Sequence, residues 1–279
     1  MTSLQSVLWI CARYELVLAV RSRWLQTFAV VFAGLALAVS SAGYILSGGH
    51  GVQDFSRTAV SLVQVVLLLV PLAALVFGGL ALTPERGAAE LLYSQPVPRG
   101  AILIGRMLGV WLALAAAELI GFGIAGLVVQ TQAGIDGLWR YGALVLTAVA
   151  VTGVFLAIAT VLASVNAGRR TRVLAAALVV WFVTVVMFDL AVLGVASLLR
   201  SGSASRLLIS ATLINPVDAA RTGALLAIEG TAAFGAASLA LLRFTGGIGM
   251  AAALVALSLV AWLVTPLWLA TRALSRADI

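Results

Sequence analysis

Residues 58–82 read TAVSLVQVVLLLVPLAALVFGGLAL and contain no charged side chain. A transmembrane helix needs about 20 consecutive apolar residues to cross the roughly 30 Å hydrocarbon core of a bilayer, so this stretch is long enough to span it. Five further stretches have the same character. The sequence therefore predicts an all-α, polytopic membrane protein with six transmembrane helices at residues 24–46, 58–82, 107–130, 141–163, 173–199 and 249–271.

The composition supports a membrane protein and argues against a soluble one. Of the 279 residues, 63% are hydrophobic and 10% are charged, whereas a soluble domain has about 45–50% and about 25%. The formal net charge of +7 is spread thinly along the chain. A nucleic-acid-binding protein would concentrate this charge in a patch. We therefore expect the lipid membrane, and no nucleic acid, as the surroundings of this chain.

The residue types exclude several kinds of chemistry. All 17 basic residues are arginine, and a chain without lysine cannot form a P-loop. Any ATP hydrolysis must therefore occur in another chain, and we expect this one to be non-catalytic. Cys11 and His50 are single, and the four methionines are dispersed, so we expect no metal site and no cofactor here.

The arginines also predict how the chain is oriented, because basic residues of short loops stay on the cytoplasmic side. Two arginines, Arg57 and Arg140, fall in the short loops of one side. The other side carries Arg13, Arg21, Arg23, Arg86, Arg99, Arg106, Arg169, Arg170, Arg172, Arg272 and Arg276. The asymmetry places both termini in the cytoplasm. We expect no cleavable signal peptide, since the start lacks a basic segment followed by a short apolar one.

Residues 1–23 precede the first span and have a different character. Apolar or aromatic residues recur there at helical spacing, and Arg13 and Glu15 are among the polar positions between them. The recurring residues are Leu4, Val7, Leu8, Cys11, Tyr14 and Leu18. This pattern predicts an amphipathic elbow helix on the inner membrane surface. The alternative is a frayed, merely polar start.

Residues 200–248 form a long periplasmic loop between the fifth and sixth spans. Residues 207–214 and 231–242 are apolar but too short to span, and Asn215-Pro216 between them signals a turn or a helix start. We expect short re-entrant helices in the outer leaflet. A seventh span at 231–242 is the alternative, but twelve residues of helix rise only about 18 Å.

Residues 83–100 form a cytoplasmic loop that predicts a docking element. Pro84 suits the first position of a helix, Glu85 favours its positive end, and Gln95-Pro96 ends it. We expect a short capped helix that binds another protein through Glu85, Arg86, Gly87, Glu90, Leu91 and Tyr93. The alternative is an ordinary connection between two spans.

Two acidic residues lie within the predicted spans. Glu118 is near the middle of the third span and Asp189 is in the outer half of the fifth. A charged acid at the centre of a membrane helix costs about 2.5–3.5 kcal/mol, which makes each a candidate for function. Either residue could line a transport pathway or join helices by hydrogen bonds. An arginine of the outer loop is the partner expected for Asp189.

The docking loop resembles a known family. Its pattern of Glu85, Gly87, Leu91-Leu92, Pro96 and Arg99-Gly100 is similar to that of the permease subunits of type-2 ABC exporters. The resemblance extends over essentially the whole chain, including Tyr14-Glu15-Leu16 near its start. It implies a single permease domain over residues 1–279 and a homodimer in the bacterial inner membrane. It also implies that the loop binds an ABC ATPase, which would hold ATP and Mg²⁺.

A second group of residues points within that family to transporters that help to mature the copper centres of nitrous oxide reductase. Trp181-Phe182, Phe188-Asp189-Leu190 and residues 214–221 carry this resemblance. It implies a periplasmic partner protein, a copper chaperone among the candidates, with Asn215, Asp218 and Arg221 as contacts. An exporter of another cargo, such as a lipid or drug, and a secondary transporter are the alternatives.

Overall fold

The computed structural model describes residues 4–46, 52–83, 87, 97–166, 168–229 and 236–276. Regular secondary structure in this part of the chain is entirely helical. The helices are α1 (Leu4–Arg21), α2 (Arg23–Leu46), α3 (Val52–Leu82), α4 (Arg99–Val165), α5 (Arg170–Trp181), a π-helix (Phe182–Met187), α6 (Phe188–Leu198), α7 (Ser201–Ile214), α8 (Pro216–Glu229), α9 (Ala236–Thr245) and α10 (Ile248–Arg276).

Six stretches of the described chain are long and apolar enough to cross a bilayer, which confirms the predicted number. They are Arg23–Ala42, Thr58–Leu82, Arg99–Val128, Arg140–Val165, Arg170–Leu198 and Ile248–Arg276. The largest difference from the prediction is in the third, which begins at Arg99 rather than at residue 107. Arg106 therefore lies inside a membrane-spanning helix, whereas the sequence prediction placed it in the loop before that helix.

The third and fourth spans belong to one continuous helical segment, α4, which folds back on itself. The indole of Trp111 donates to the carbonyl of Val149 at 3.0 Å, and the hydroxyl of Tyr141 donates to the carbonyl of Phe122 at 2.9 Å. A straight helix would separate Phe122 from Tyr141 by about 28 Å. The segment therefore reverses direction between its two spans and forms a helical hairpin.

The hairpin and α3 form the centre of the bundle. Large side chains from both, such as Leu75, Leu114 and Phe155, are fully buried with Phe32 of α2. The fifth span contributes no buried residue within its most apolar window. Its apolar surface is thus left for lipid or for another protein.

The fifth span is interrupted by the π-helix, a feature that the sequence did not predict. The amide of Phe188 donates to the carbonyl of Val183, which is five residues earlier. In an α-helix the acceptor would be the carbonyl four residues earlier. Pro71 and Pro266 lie within continuous helices and outside the fifth span. The π-helix lies instead where a side chain of another element contacts the fifth span, as described below.

The described residues between α6 and α10 form three helices, which confirms short helices there. Pro216 is the first residue of α8, so Asn215-Pro216 is a helix start. The sequence prediction missed α8 as a helix, because α8 mixes apolar residues with Asp218, Arg221 and Thr222 and so contains no long apolar stretch. α8 packs against both halves of the bundle, with Val217, Ala220 and Ala224 in the main core.

Candidate functional site

Helix α1 packs closely against the start of α4, at two glycines of a Gly-x-x-x-Gly pair. A side chain on Gly105 would lie 2.8 Å from the carbonyl oxygen of Leu8, and one on Gly109 would overlap the carbonyl oxygen of Ala12. Small residues at such spacing let two helix backbones approach each other. The predicted N-terminal helix is therefore present, and it packs directly against α4.

The face of α1 that meets the protein differs from the predicted one. Its buried residues are Ala12, Glu15 and Ala19, whereas Tyr14 and Leu18 of the predicted apolar stripe are 65% and 47% exposed. Glu15, which the sequence analysis counted among the polar positions of an amphipathic helix, is buried in the protein. Its carboxylate is buried because it has a partner on α4.

That partner is Arg106, which joins three helices. Its Nε donates to Glu15 Oε2 at 2.8 Å, and its Nη2 donates to the carbonyl of Ala81 at 2.6 Å. Both side chains are nearly inaccessible to solvent. A charge inside a span is tolerated when it is paired in this way. Arg106 thus connects α1, the last turn of α3 and the first part of α4.

Two more arginines fix the backbone on either side of the predicted docking loop. Nε of Arg170, at the start of α5, donates to the carbonyl of Thr83 at 3.3 Å. Nη1 of Arg99, at the start of α4, donates to the carbonyl of Leu274 at 3.4 Å. The chain that enters the loop is therefore tied to the fifth span, and the chain that leaves it is tied to the sixth.

The predicted docking residues themselves fall almost wholly outside the described residues. This applies to Glu85, Arg86, Glu90, Leu91 and Tyr93. Gly87 is described and is exposed, and no other described residue is near enough to contact a side chain placed there. The role of this loop stays a prediction that its surroundings, rather than its own contacts, support.

Glu118 is completely buried and connects the two halves of the hairpin. The hydroxyl of Thr152 lies within hydrogen-bond distance of Glu118 Oε1 and of the Ala148 carbonyl. Oε2 of Glu118 has no hydrogen-bond partner among the described residues. Gly121, one turn away, packs closely against Phe32 of α2. Whether Glu118 also serves a pathway remains a prediction.

Asp189 forms the predicted ion pair with an arginine of the outer segment. Nη1 of Arg221 donates to Asp189 Oδ2 and to Asp218 Oδ1, at 2.8 Å in each case. Burial and the neighbouring Asp189 raise the pKa of Asp218 to about 7, against the opposing effect of Arg221. The bond from Arg221 to Asp189 therefore joins α8 to the fifth span, and Asp218 of α8 shares the same guanidinium nitrogen.

Asn215 adds an uncharged connection between the same two elements. Its Nδ2 donates to the carbonyl of Thr184 in the π-helix at 2.9 Å and to Asp218 Oδ2 at 3.1 Å. Its Oδ1 accepts from the amide of Val217 at 3.1 Å, as expected of a residue that caps a helix N-terminus. Asn215 therefore caps α8 and contacts the irregular part of the fifth span at the same time.

The sequence analysis did not identify Thr184, Arg106 or Arg170 as parts of these contacts. Arg106 carried a usable signal, because the apolar stretch continues on its N-terminal side from Ala101 to Gly105. A charge placed within such a stretch indicates a buried partner. Nothing in the sequence around Thr184 indicates that its carbonyl accepts a bond from a residue 31 positions later.

The described part of the chain contains no group of three histidine, cysteine or acidic side chains arranged to hold a metal ion. Its sulfur-containing side chains lie on different elements, with Cys11 on α1, Met107 on α4, Met187 in the π-helix and Met250 on α10. His50 lies outside the described residues. Among the described residues, the side chains that could bind Cu(I) therefore lie on four different elements.

Comparisons with known proteins agree with this architecture. Residues 9–279 match the family described as ABC-2 family transporter protein. The chain is 34% identical over 270 residues to "Probable ABC transporter permease protein NosY" of Stutzerimonas stutzeri, covering 94% of this chain and 95% of that one. It is 35% identical over 241 residues to the protein of the same description from Pseudomonas aeruginosa, covering 84% and 87%. The chain therefore belongs to the ABC-2 family of transporter proteins, and its part in such a transporter is that of a membrane-spanning permease.

Proposed function

We propose that this permease works with a separate, NosF-like ABC ATPase that binds residues 84–96 of the cytoplasmic loop at residues 83–100. The observation that carries the proposal is the fixation of the backbone on both sides of that loop. Arg106 and Arg170 hold the carbonyls of Ala81 and Thr83 before it, and Arg99 bonds to α10 directly after it. Movement of the loop is thereby passed to α1, to the fifth span and to the sixth.

The contacts at the two ends of the bundle support the proposed orientation. The arginine contacts of Arg99, Arg106 and Arg170 all lie at the end where α3 and α10 finish and α4 and α5 begin. The cluster of Asn215 and Arg221 contacts the fifth span at Thr184 and Asp189, away from that end. The first group belongs to the arginine-rich side, so we place it, with both termini, in the cytoplasm.

Co-expression with the ATPase tests the coupling. The complex should co-purify from the bacterial inner membrane, and addition of a non-hydrolysable ATP analogue should change the protection of α1 and α5 against hydrogen exchange. Protection that is identical with and without nucleotide, in a complex that does form, would mean that the permease is only an anchor for its partner.

We further propose that the permease is a homodimer that serves maturation of the copper centres of nitrous oxide reductase. The similarity to two NosY permeases supports this role, and the exposed apolar surface of the fifth span provides room for a second copy. The dispersed sulfur side chains favour export of a sulfur species, or mechanical work on a NosD-like periplasmic protein, over passage of bare copper. Export of another cargo, such as a lipid or drug, is the alternative here.

Deletion of the gene, with complementation in the same host, distinguishes these cargoes. Loss of the copper centres of nitrous oxide reductase, restored by the intact chain, supports the maturation role. Normal nitrous oxide reductase in the deletion strain would assign the permease to another cargo.

A further inference from the structure

We propose that α8 is held to the fifth span by a clasp that binds one proton and opens as that proton is lost. The clasp consists of Asp189 on α6 and Asp218 and Arg221 on α8. It is a property of the permease alone and does not depend on the proposed ATPase, cargo or partner proteins.

The clasp contains two acidic groups but only one positively charged group. Both carboxyl groups bond to the same nitrogen, Nη1 of Arg221, each at 2.8 Å. Nε of Arg221 is buried and has no hydrogen-bond partner within the described chain, so it does not form a second, bidentate bond to either acid. Two ionised acids would therefore face one guanidinium. Two carboxylates that share one site hold a proton more readily than either alone.

No other charged group compensates for this excess in the part of the chain that the structure describes. α8 packs against α3, α4, α7, α10 and the π-helix. The charged side chains described on those elements are Arg99, Arg106, Glu118, Arg140, Arg206, Arg272 and Arg276, and no ion pair joins any of them to the clasp. The further polar contacts of the clasp come from Asn215, whose amide bonds to Asp218 and to the Thr184 carbonyl.

The direction of the pH effect follows from where the proton is held. Burial and Asp189 raise the pKa of Asp218 from its ordinary value of 3.8 to about 7 in the closed clasp. When α8 leaves the fifth span, Asp218 returns to its ordinary pKa and releases the proton. A rise in pH between about 4 and 7 therefore favours opening, by about tenfold for each pH unit. Above about pH 7 the closed clasp has also lost its proton, and the effect levels off.

The Asn215 amide shows why opening would be a hinge motion rather than a complete detachment. Its bond to the Thr184 carbonyl involves no titratable group and is unaffected by the proton. It lies at the first turn of α8, while Arg221 lies further along the helix. Loss of the proton thus loosens the side of α8 that faces the fifth span near Arg221, while α8 stays attached at Asn215 and packed in the core through Ala220 and Ala224.

Hydrogen exchange of the full-length protein in lipid nanodiscs tests the clasp. After correction for intrinsic exchange rates, amides of α8 in the wild type should lose protection about tenfold per pH unit from pH 5 to 6.5 and level off near 7. Asp218→Asn removes the titrating group, so its α8 protection should be independent of pH. Asp278→Asn is the matched control and should behave as the wild type does.

A second measurement keeps the test decisive if Asp218→Asn does not fold. Infrared spectra of wild-type protein labelled with ¹³C-carboxyl aspartate should show a protonated aspartic acid at pH 6 that disappears as the pH passes 7. Two results overturn the proposal: α8 protection in the wild type that does not change with pH, and the lack of a protonated aspartate at pH 6.

Discussion

Arg106 and Glu15 form an ion pair, 91 residues apart in sequence, that fastens the first helix of the chain to the middle of the bundle. Their N–O distance is 2.8 Å, and both side chains are almost entirely buried. The same guanidinium holds the Ala81 carbonyl two residues before the docking loop. α1 is therefore positioned by a contact that also reaches the segment proposed to bind the ATPase.

Breaking this pair should destabilise the protein strongly. Glu15→Ala leaves a buried guanidinium without its carboxylate, and removal of one partner of a buried pair costs about 3–5 kcal/mol. We expect a lower thermal unfolding temperature in detergent and loss of protection of α1 against hydrogen exchange. Arg13→Ala on the exposed side of the same helix is the control and should have little effect. Equal effects of the two substitutions would contradict a structural role for the pair.

The close approach of α1 to α4 makes a second prediction, at Gly109. Gly109→Ala places a methyl group against the Ala12 carbonyl oxygen and the Glu15 side chain, so α1 must move away. We expect a loss of about 1–3 kcal/mol, the range for overpacking. Gly123→Ala lies in the same helix, with open space around it, and should be neutral or stabilise by about 0.4–1 kcal/mol. A comparison of their unfolding midpoints checks both.

The contrast between these residues shows what the sequence could and could not predict. The number of spans depends only on how many apolar stretches are long enough to cross the membrane. The six spans were therefore predictable from segments such as residues 58–82. The burial of Glu15 was not predictable because its environment is created by Arg106, far away in the chain. The π-helix was missed for the same reason, since the side chain that reaches its Thr184 carbonyl belongs to Asn215. The pairing of Asp189 with an outer arginine was predictable because an unpaired acid in a span is costly.

The docking loop is tested by charge reversal. Glu85→Arg and Glu90→Arg should each weaken co-purification of the ATPase, because a buried charge left without its partner costs about 2–5 kcal/mol at an interface and an exposed one slows association. Arg206→Glu reverses an exposed charge on α7 and should leave the complex intact. Pull-down of the ATPase that is unchanged in both loop variants would show that the loop is not the interface.

Chemical labelling of intact cells tests the orientation. In a Cys11→Ser background, Ser203→Cys on the exposed surface of α7 should react with a membrane-impermeant thiol reagent, and Thr171→Cys at the exposed start of α5 should react only after the cells are lysed. Gly168 is unsuitable as the inner reporter because its φ of 71° favours glycine. Labelling of Thr171→Cys in intact cells would reverse the proposed sides.

The last prediction concerns copper. A relay of Cu(I) through the permease would need thioether and imidazole ligands, which are the groups that this ion selects. The combined variant Met107→Leu, Met187→Leu, Met250→Leu and His50→Ala removes those side chains. Met107 is buried, whereas Met187 and Met250 are partly exposed, and exchange of Met for Leu typically costs less than about 1.5 kcal/mol, so the protein should fold. We expect nitrous oxide reductase to acquire its copper centres normally in a strain that carries this variant.

The matched variant for this experiment is Glu85→Arg, which leaves all four of these residues in place and should reduce maturation through loss of the ATPase. Abundance in the membrane and ATPase activity of the complex are measured beside the copper content of the reductase. If the quadruple variant is as abundant and as active in ATP hydrolysis as the wild type but yields a reductase without copper, direct transfer of copper through this chain becomes the better explanation. If the reductase is fully loaded, the permease contributes movement or another cargo, because the residues needed to carry the metal are then absent from it.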